Sequence, residues 1–396
     1  MKFLLTISSI FLLPYISIGQ LSSGFDPVEA HEMIALCNSY TYLELYNDDK
    51  AIIPKGYTKV YTSPVVGMDN KFQVYTKGKI GVLNFRGSTD KKSSWLENIY
   101  SEMIPVEGTI TVNDEKFEYK FGIDTSSNIH SGYALGMAYL HENILNQIDK
   151  LNKQGVTNII LTGHSQGGAL AILTRAYLEH SVKDKISSRN KFKVYTFAQP
   201  MSGNVEFMRE YNALFCDAGM SYSLINPEDA VPNMPLSYND STYIKDRVNA
   251  IFRKDEKIEK KGTFRDGMIN IFEGGLSKTV HKFGKAVSKQ IQKELGEIIL
   301  PEPTGDINYS QVGNLILLSP PEYPLEMKDS ALLEDKEFMR EHPRDENGFF
   351  ENEAVYKKTS MRLSHKPYNY YTAVLRKYFP KKYETIEPKS FPAEKG

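Results

Sequence analysis

The stretch Asn158-Ile-Ile-Leu-Thr-Gly-His-Ser-Gln-Gly-Gly-Ala-Leu-Ala-Ile-Leu173 decides how this chain is read. Its apolar run Ile159–Leu161 suits a buried strand, Gly163-His164-Ser165-Gln166-Gly167 follows, and the run after that suits a helix. Gly-x-Ser-x-Gly between a strand and a helix is the pattern of a nucleophile elbow, which holds a serine on a strained turn with its hydroxyl projecting. Gly163 on the strand side and Gly167 on the helix side answer the need for turns without side chains. Gly168, Ala169 and Ala171 keep the helix slim against a sheet. Its first amides and positive dipole end aim at the place where an oxyanion would form. The bare pattern also describes a glycine-rich strand–helix turn that binds phosphate, or nothing.

Outward from the elbow the chain alternates strand and helix. Asp26-Pro27-Val28-Glu29 reads as a capped helix start, and the pattern turns to strands at Lys59–Thr62, Phe72–Tyr75 and Ile80–Phe85. Glu102 to Asn128 is a polar, hairpin-rich excursion, and His130-Ser131-Gly132-Tyr133 opens a helix to about Leu151. After the elbow helix come strands at Phe192–Phe197 and Ser221–Ile225, the second ending at Asn226-Pro227-Glu228-Asp229. That rhythm predicts an α/β fold with a mainly parallel central sheet covered on both faces. It breaks between about 239 and 356, an expected insertion, largely helical, before a last helix over Tyr368–Tyr378. In the insertion Leu276, Val280, Phe283, Val287, Ile291 and Leu295 recur at helical spacing, with Lys278, Lys282, Lys285, Lys289 and Lys293 on the other face. Such a helix can lie on a membrane surface, cover an apolar site, or simply pack on the sheet. Gly313–Leu318 suits one more short strand.

Bulk properties set few limits beyond these. The 396 residues, 12% of them aromatic, can supply a large core, and a net charge of −1 gives no general argument for nucleic acid or an acidic partner. Residues 1–19 read as a secretory leader: Lys2, then Phe3-Leu4-Leu5 and Ile10-Phe11-Leu12-Leu13, then Ser17-Ile18-Gly19 with a cut after Gly19. Pro14 and Ser17 interrupt the run too early for a membrane anchor, and nothing later is long enough to span a bilayer. The expectation is one domain over 20–396, exported to a periplasm or secreted. Cys37 and Cys216 can form one bridge or stay as two buried thiols, since a core of this size needs no staple.

A serine hydroxyl becomes a nucleophile when a histidine takes its proton and a carboxylate orients that histidine. In the α/β-hydrolase arrangement these follow in chain order Ser, acid, His, at the carboxyl ends of strands. Asp229 occupies the acid slot, although by itself it also reads as a surface-turn aspartate. His164 is too close to Ser165, His130 and His141 precede it, His281 lies on the basic helix and His342 in a polar loop, which leaves His365 as the base. Of two oxyanion donors, one is the amide of Gln166, and the loop Arg86-Gly87-Ser88 is placed to give the other.

At this point the chain resembles the class 3 (fungal-type triacylglycerol) lipases. The blocks that carry the likeness are Phe85-Arg86-Gly87-Ser88, Trp95 with Asn98, His130–Tyr133, Thr162–Ala171, Phe197-Ala198-Gln199-Pro200 with Gly203-Asn204, Asp229–Pro232, and His365 with Tyr368. The resemblance implies Ser165 as nucleophile, Asp229 as acid, His365 as base, and Ser88 and Gln166 as oxyanion donors. It implies an exported hydrolase of lipid esters with an acyl-enzyme, needing no metal and no organic cofactor, in transient contact with a lipid interface. Three departures stand out. Gln166 replaces a usual leucine and is expected to make the pocket floor more polar; 136 residues separate Asp229 from His365; and the family's short lid helix is hard to make out between Thr89 and Trp95. A phospholipase or other carboxylesterase on the same triad is the alternative, and a non-catalytic lipase-like binding protein a more distant one.

Overall fold

The computed structural model describes residues 20–235, 276–319 and 364–386, with short pieces between 328 and 355. The leader at 1–19 and residues 236–275 of the expected insertion lie outside the described residues. Seven strands form the central sheet in chain order: β1 (Thr58–Thr62), β2 (Phe72–Lys77), β3 (Ile80–Phe85), β4 (Asn158–His164), β5 (Lys191–Phe197), β6 (Ser221–Ile225) and β7 (Asn314–Leu317). β1–β2 and β2–β3 pair antiparallel, and β3 through β7 run parallel. The central parallel strands β3 and β4 are largely apolar and buried because both faces of the sheet are covered there. Leu83, Phe85, Ile159, Leu161 and Val194 face helices α3 (Ser131–Lys153) and α4 (Gln166–His180). The alternate residues Val82, Ile160, Tyr195, Phe197 and Leu224 pack with α1 (Pro27–Tyr46) and the last long helix, Pro367–Tyr378. This is the mainly parallel α/β architecture that the strand–helix rhythm predicts.

Register places the site. Phe85 lies beside Gly163, His164 beside Phe197, and Phe197 beside Leu224, so four strands end along one edge. The Arg86 loop, Ser165, Ala198 and the Asn226 loop all leave the sheet there, the carboxyl edge at which open α/β sheets place their chemistry.

Helix α1 starts as the sequence suggests, with the Asp26 carboxylate accepting from Val28 N–H at 2.7 Å. A hairpin, Glu107–Val112 with Glu115–Lys120, fills the polar excursion and pairs with Ile298–Ile299. A helix, α2 (Lys92–Ile99), follows the Ser88 loop directly, where the sequence shows no lid helix. The sequence hides it because its apolar residues are few and three of its inward side chains are polar. The helix Leu276–Leu295, α5 here, is packed: Val287 and Ile291 are buried in the cluster that holds α3 and α4, while Lys285, Lys289 and Lys293 are exposed. The thiols of Cys37 and Cys216 are free and sit in clusters on opposite faces of the sheet, so no bridge joins them.

Candidate active site

Ser165 joins β4 to α4 with φ 58° and ψ −134°, a conformation that L-residues avoid unless the surroundings impose it. Here the surroundings do. The Ser165 N–H donates to Phe197 O at 2.9 Å and its carbonyl accepts from Gly168 N–H at 2.8 Å, so the turn is tied to β5 and to the first turn of α4. A methyl group on Gly163 would run into the carbonyl of Gly167, and one on Gly167 into the carbonyl of Phe85. Gly87 comes just as near: a Cβ there would stand 2.8 Å from His164 O. The glycines are thus needed where three backbone segments converge.

Ser165 Oγ lies 2.8 Å from His365 Nε2, and His365 Nδ1 lies 2.8 Å from Asp229 Oδ2. With Nδ1–H donating to the carboxylate, Nε2 is left to accept the serine proton. Asp229 is buried and its carboxylate is fully engaged: Oδ2 also accepts from the Tyr370 hydroxyl at 2.8 Å, and Oδ1 from Val231 N–H at 3.0 Å. A buried charge needs such partners. Tyr370 in turn accepts from Asn226 N–H at 3.0 Å, and Ser364 Oγ donates to Glu228 O at 3.2 Å. These bonds clamp the loop after β6 to the start of the final helix, α6 (Pro367–Tyr378), in which Pro367 occupies the first turn. Residues 136 apart in sequence are thereby held at hydrogen-bond range. Tyr370 is the member that sequence reading missed. Tyr368, in the same sequence block as His365, stands ring to ring with Tyr371 at 5.7 Å.

His164 is not a rival base. Burial, with His365 adding to it, pushes its imidazole well below the ordinary histidine range, and its ring packs 4.8 Å from that of His365. His130 and His141 lie elsewhere. His130 is buried at the start of α3, where its Nδ1 accepts from Tyr133 N–H at 3.3 Å and its Nε2 bonds Asn98 O at 3.2 Å. His141 stands against the hairpin's Phe117 at 4.4 Å.

The Ser88 loop is joined to the elbow by a buried polar network. Ser88 Oγ donates to Gln166 Oε1 at 2.8 Å, and Asn98 Nδ2 reaches both Ser88 Oγ (2.8 Å) and Gln166 Oε1 (3.0 Å). Tyr133 OH donates to Asn98 Oδ1 at 3.1 Å. Gln166 is buried, its side chain turned into this network, so it forms no polar pocket floor; that expectation fails because Ser88, Asn98 and Asn70 absorb all its polar atoms. With the Ser88 hydroxyl committed to Gln166, the backbone amide of Ser88 is the group left for an incoming oxyanion. The Gln166 amide, first in α4, has no intrahelical acceptor by position. From the outer side the loop is held by Asp69, which takes Arg86 Nη2 at 2.9 Å, Lys91 Nζ at 2.7 Å and Thr89 Oγ1 at 2.6 Å. Burial works to raise the Asp69 pKa, yet the Lys91 and Thr89 hydrogen bonds and the Arg86 charge together hold it below the ordinary value.

Among the described residues no group of three or more His, Cys, Asp or Glu side chains is arranged to hold a metal ion, and no helix is long and apolar enough to cross a membrane.

Part of the chain is similar to known proteins. Residues 82–239 match the class 3 lipase family model. A lipase of Caenorhabditis elegans, ZK262.3, is 29% identical over 143 residues, which is 36% of this chain and 37% of that protein. A secreted mono- and diacylglycerol lipase of Fusarium solani is 28% identical over 139 residues, 34% of this chain and 39% of that one. The matched region thus spans under two-fifths of either relative. The solved triacylglyceride lipase of Rhizomucor miehei aligns at a TM-score of 0.40 and 19% identity, over 54% of this chain and 77% of its own. The part of the chain that is similar to the class 3 lipase family, residues 82–239, holds most of β3, the Ser88 loop, the elbow and Asp229.

Proposed function

We propose that this chain is an exported serine hydrolase that cleaves carboxylic ester bonds of lipids, with acylglycerols as the substrate class. The observation that carries the reading is the row Ser165 Oγ, His365 Nε2 and Nδ1, Asp229 Oδ2, with 2.8 Å at each link. His365 Nε2 takes the hydroxyl proton as Ser165 Oγ bonds to the ester carbonyl carbon. The amides of Ser88 and Gln166 receive the oxyanion, and loss of one such donor costs about 3 kcal/mol of transition-state stabilisation. The tetrahedral intermediate expels the alcohol, which takes the proton from Nε2 and leaves an acyl-Ser165. Water then gives its proton to the same nitrogen, its oxygen bonds to the acyl carbon, and the carboxylic acid departs as Ser165 is restored. Asp229 keeps the imidazole aligned and balances its charge at each protonated stage. Trp95, 53% exposed on α2 beside the Ser88 loop, is suited to touch a lipid surface.

The test is a panel of mono-, di- and triacylglycerols, phospholipids and short-chain esters, run on the wild type beside Ser165→Ala. The expected result is acylglycerol hydrolysis that falls by several orders of magnitude in the variant. Equal rates in the two proteins, or cleavage of phospholipids alone, would overturn the reading. Export is tested by the N-terminus of protein collected from the medium or periplasm, expected at Gln20.

A further inference from the structure

We propose that Glu97 is a positioning residue of the oxyanion site: through Asn70 and Gln166 it holds the Ser88 loop against the elbow, so that both amide donors stand in place before an ester arrives. This rests on the hydrolase reading above. Glu97 is completely buried on α2, and the groups bonded to it are amides rather than cations. Burial pushes its carboxyl above the ordinary carboxylate range, while hydrogen bonds from Asn70 and Gln166 act to lower it.

A buried acid whose partners among the described residues are amides is a costly choice unless its hydrogen bonds do something. What they do can be followed atom by atom. Glu97 Oε2 accepts from Asn70 Nδ2 at 2.7 Å, which turns Asn70 Oδ1 toward Gln166 Nε2 at 3.1 Å. Gln166 is thereby oriented with Oε1 toward Ser88 Oγ and Asn98 Nδ2. Were the Gln166 amide reversed, its NH2 would face another NH2 and the Ser88 hydroxyl would lose its acceptor. The direction of the whole relay is therefore set at its far end. Backbone packing supports that end: a Cβ on Gly136 of α3 would stand 2.6 Å from Glu97 Oε1, so α3 closes directly over the carboxyl.

The experiment separates positioning from mere filling of space. Steady-state kinetics on a dissolved short-chain ester are compared for wild type, Glu97→Gln, Glu97→Leu and Ser165→Ala, with melting temperatures alongside. Gln can still accept from Asn70, whereas Leu fills the volume and accepts nothing. Glu97→Gln is expected within about threefold of wild-type kcat, while Glu97→Leu loses about tenfold in kcat with little change in KM, the signature of an interaction felt in the transition state. Wild-type kcat in Glu97→Leu, or equal losses in both Glu97 variants, would overturn the inference. If Glu97→Leu does not fold, Asn70→Ala carries the same test: a lowered kcat supports the relay, an unchanged one refutes it. A wild type that hydrolyses no ester, or a Ser165→Ala that hydrolyses as well as wild type, sinks the hydrolase reading instead.

Discussion

Tyr370 donates to the same Asp229 oxygen that receives the His365 bond, at 2.8 Å in both cases. Hydrogen bonds to a buried charged acceptor are worth about 1.5–3 kcal/mol. Tyr370→Phe should therefore lower kcat by roughly tenfold and leave Asn226 N–H without its partner, with a fall in melting temperature that calorimetry can measure. Gly163→Ala should be far worse, because the added methyl meets the backbone of Gly167 and no side chain can swing aside; its soluble yield is the readout. At this scale the elbow was legible because the two glycines it requires, Gly163 and Gly167, flank Ser165 within one short stretch of sequence. Glu97, Asn70 and Tyr370 were not. Each is an ordinary polar residue whose meaning comes from partners in other segments: Asn70 in the turn between β1 and β2, Glu97 on α2, Tyr370 on α6. A sequence shows their types and hides their neighbours.

Among the elements, α2 and α3 are the pair that shapes the oxyanion side. Gly132 lets the start of α3 approach the carbonyl of Glu97 so closely that any side chain would collide with it, and Gly132 N–H donates to Tyr100 O at 3.0 Å. Gly132→Ala should push the two helices apart and lower both melting temperature and kcat, a joint loss distinct from the kcat-only effect expected of Glu97→Leu. Helix α5 offers a second case. Truncating a buried isoleucine costs about 2–5 kcal/mol, so Ile291→Ala should destabilise the protein in urea, whereas Lys289→Gln on the exposed side should leave the midpoint within experimental error. The strands were readable from apolar runs, since the parallel sheet is buried on both faces. Helix α2 was obscured because Ser94, Glu97 and Asn98 point inward, reversing the pattern that marks an amphipathic helix.

The molecule as a whole should be sensitive to acid and indifferent to redox conditions. His130 is buried and its pKa is pushed by that burial down to about 3. Its folded value lies below the unfolded value near 6.5, so the unfolded chain takes up the proton first. Stability is then complete above about pH 6.5 and declines steadily as pH drops toward 3, at up to ~1.4 kcal/mol per unit from this group. His130→Gln should flatten that slope in urea titrations between pH 6.5 and 4. Asp69, whose pKa is lowered, adds a loss of its own that appears only in more acid solution. The thiols of Cys37 and Cys216 are raised by burial to about 12 and about 11, so dithiothreitol should leave the melting temperature unchanged and iodoacetamide should not label the folded protein. One long-range contact has a temporal meaning as well. Helix α6 lies against α1, with Asn38 Nδ2 donating to Pro367 O at 3.1 Å, and it is α6 that draws His365 onto Ser165. Under the proposed mechanism Ser165 would emerge during synthesis 200 residues before the imidazole that activates it, and activity would wait until α6 docks on α1.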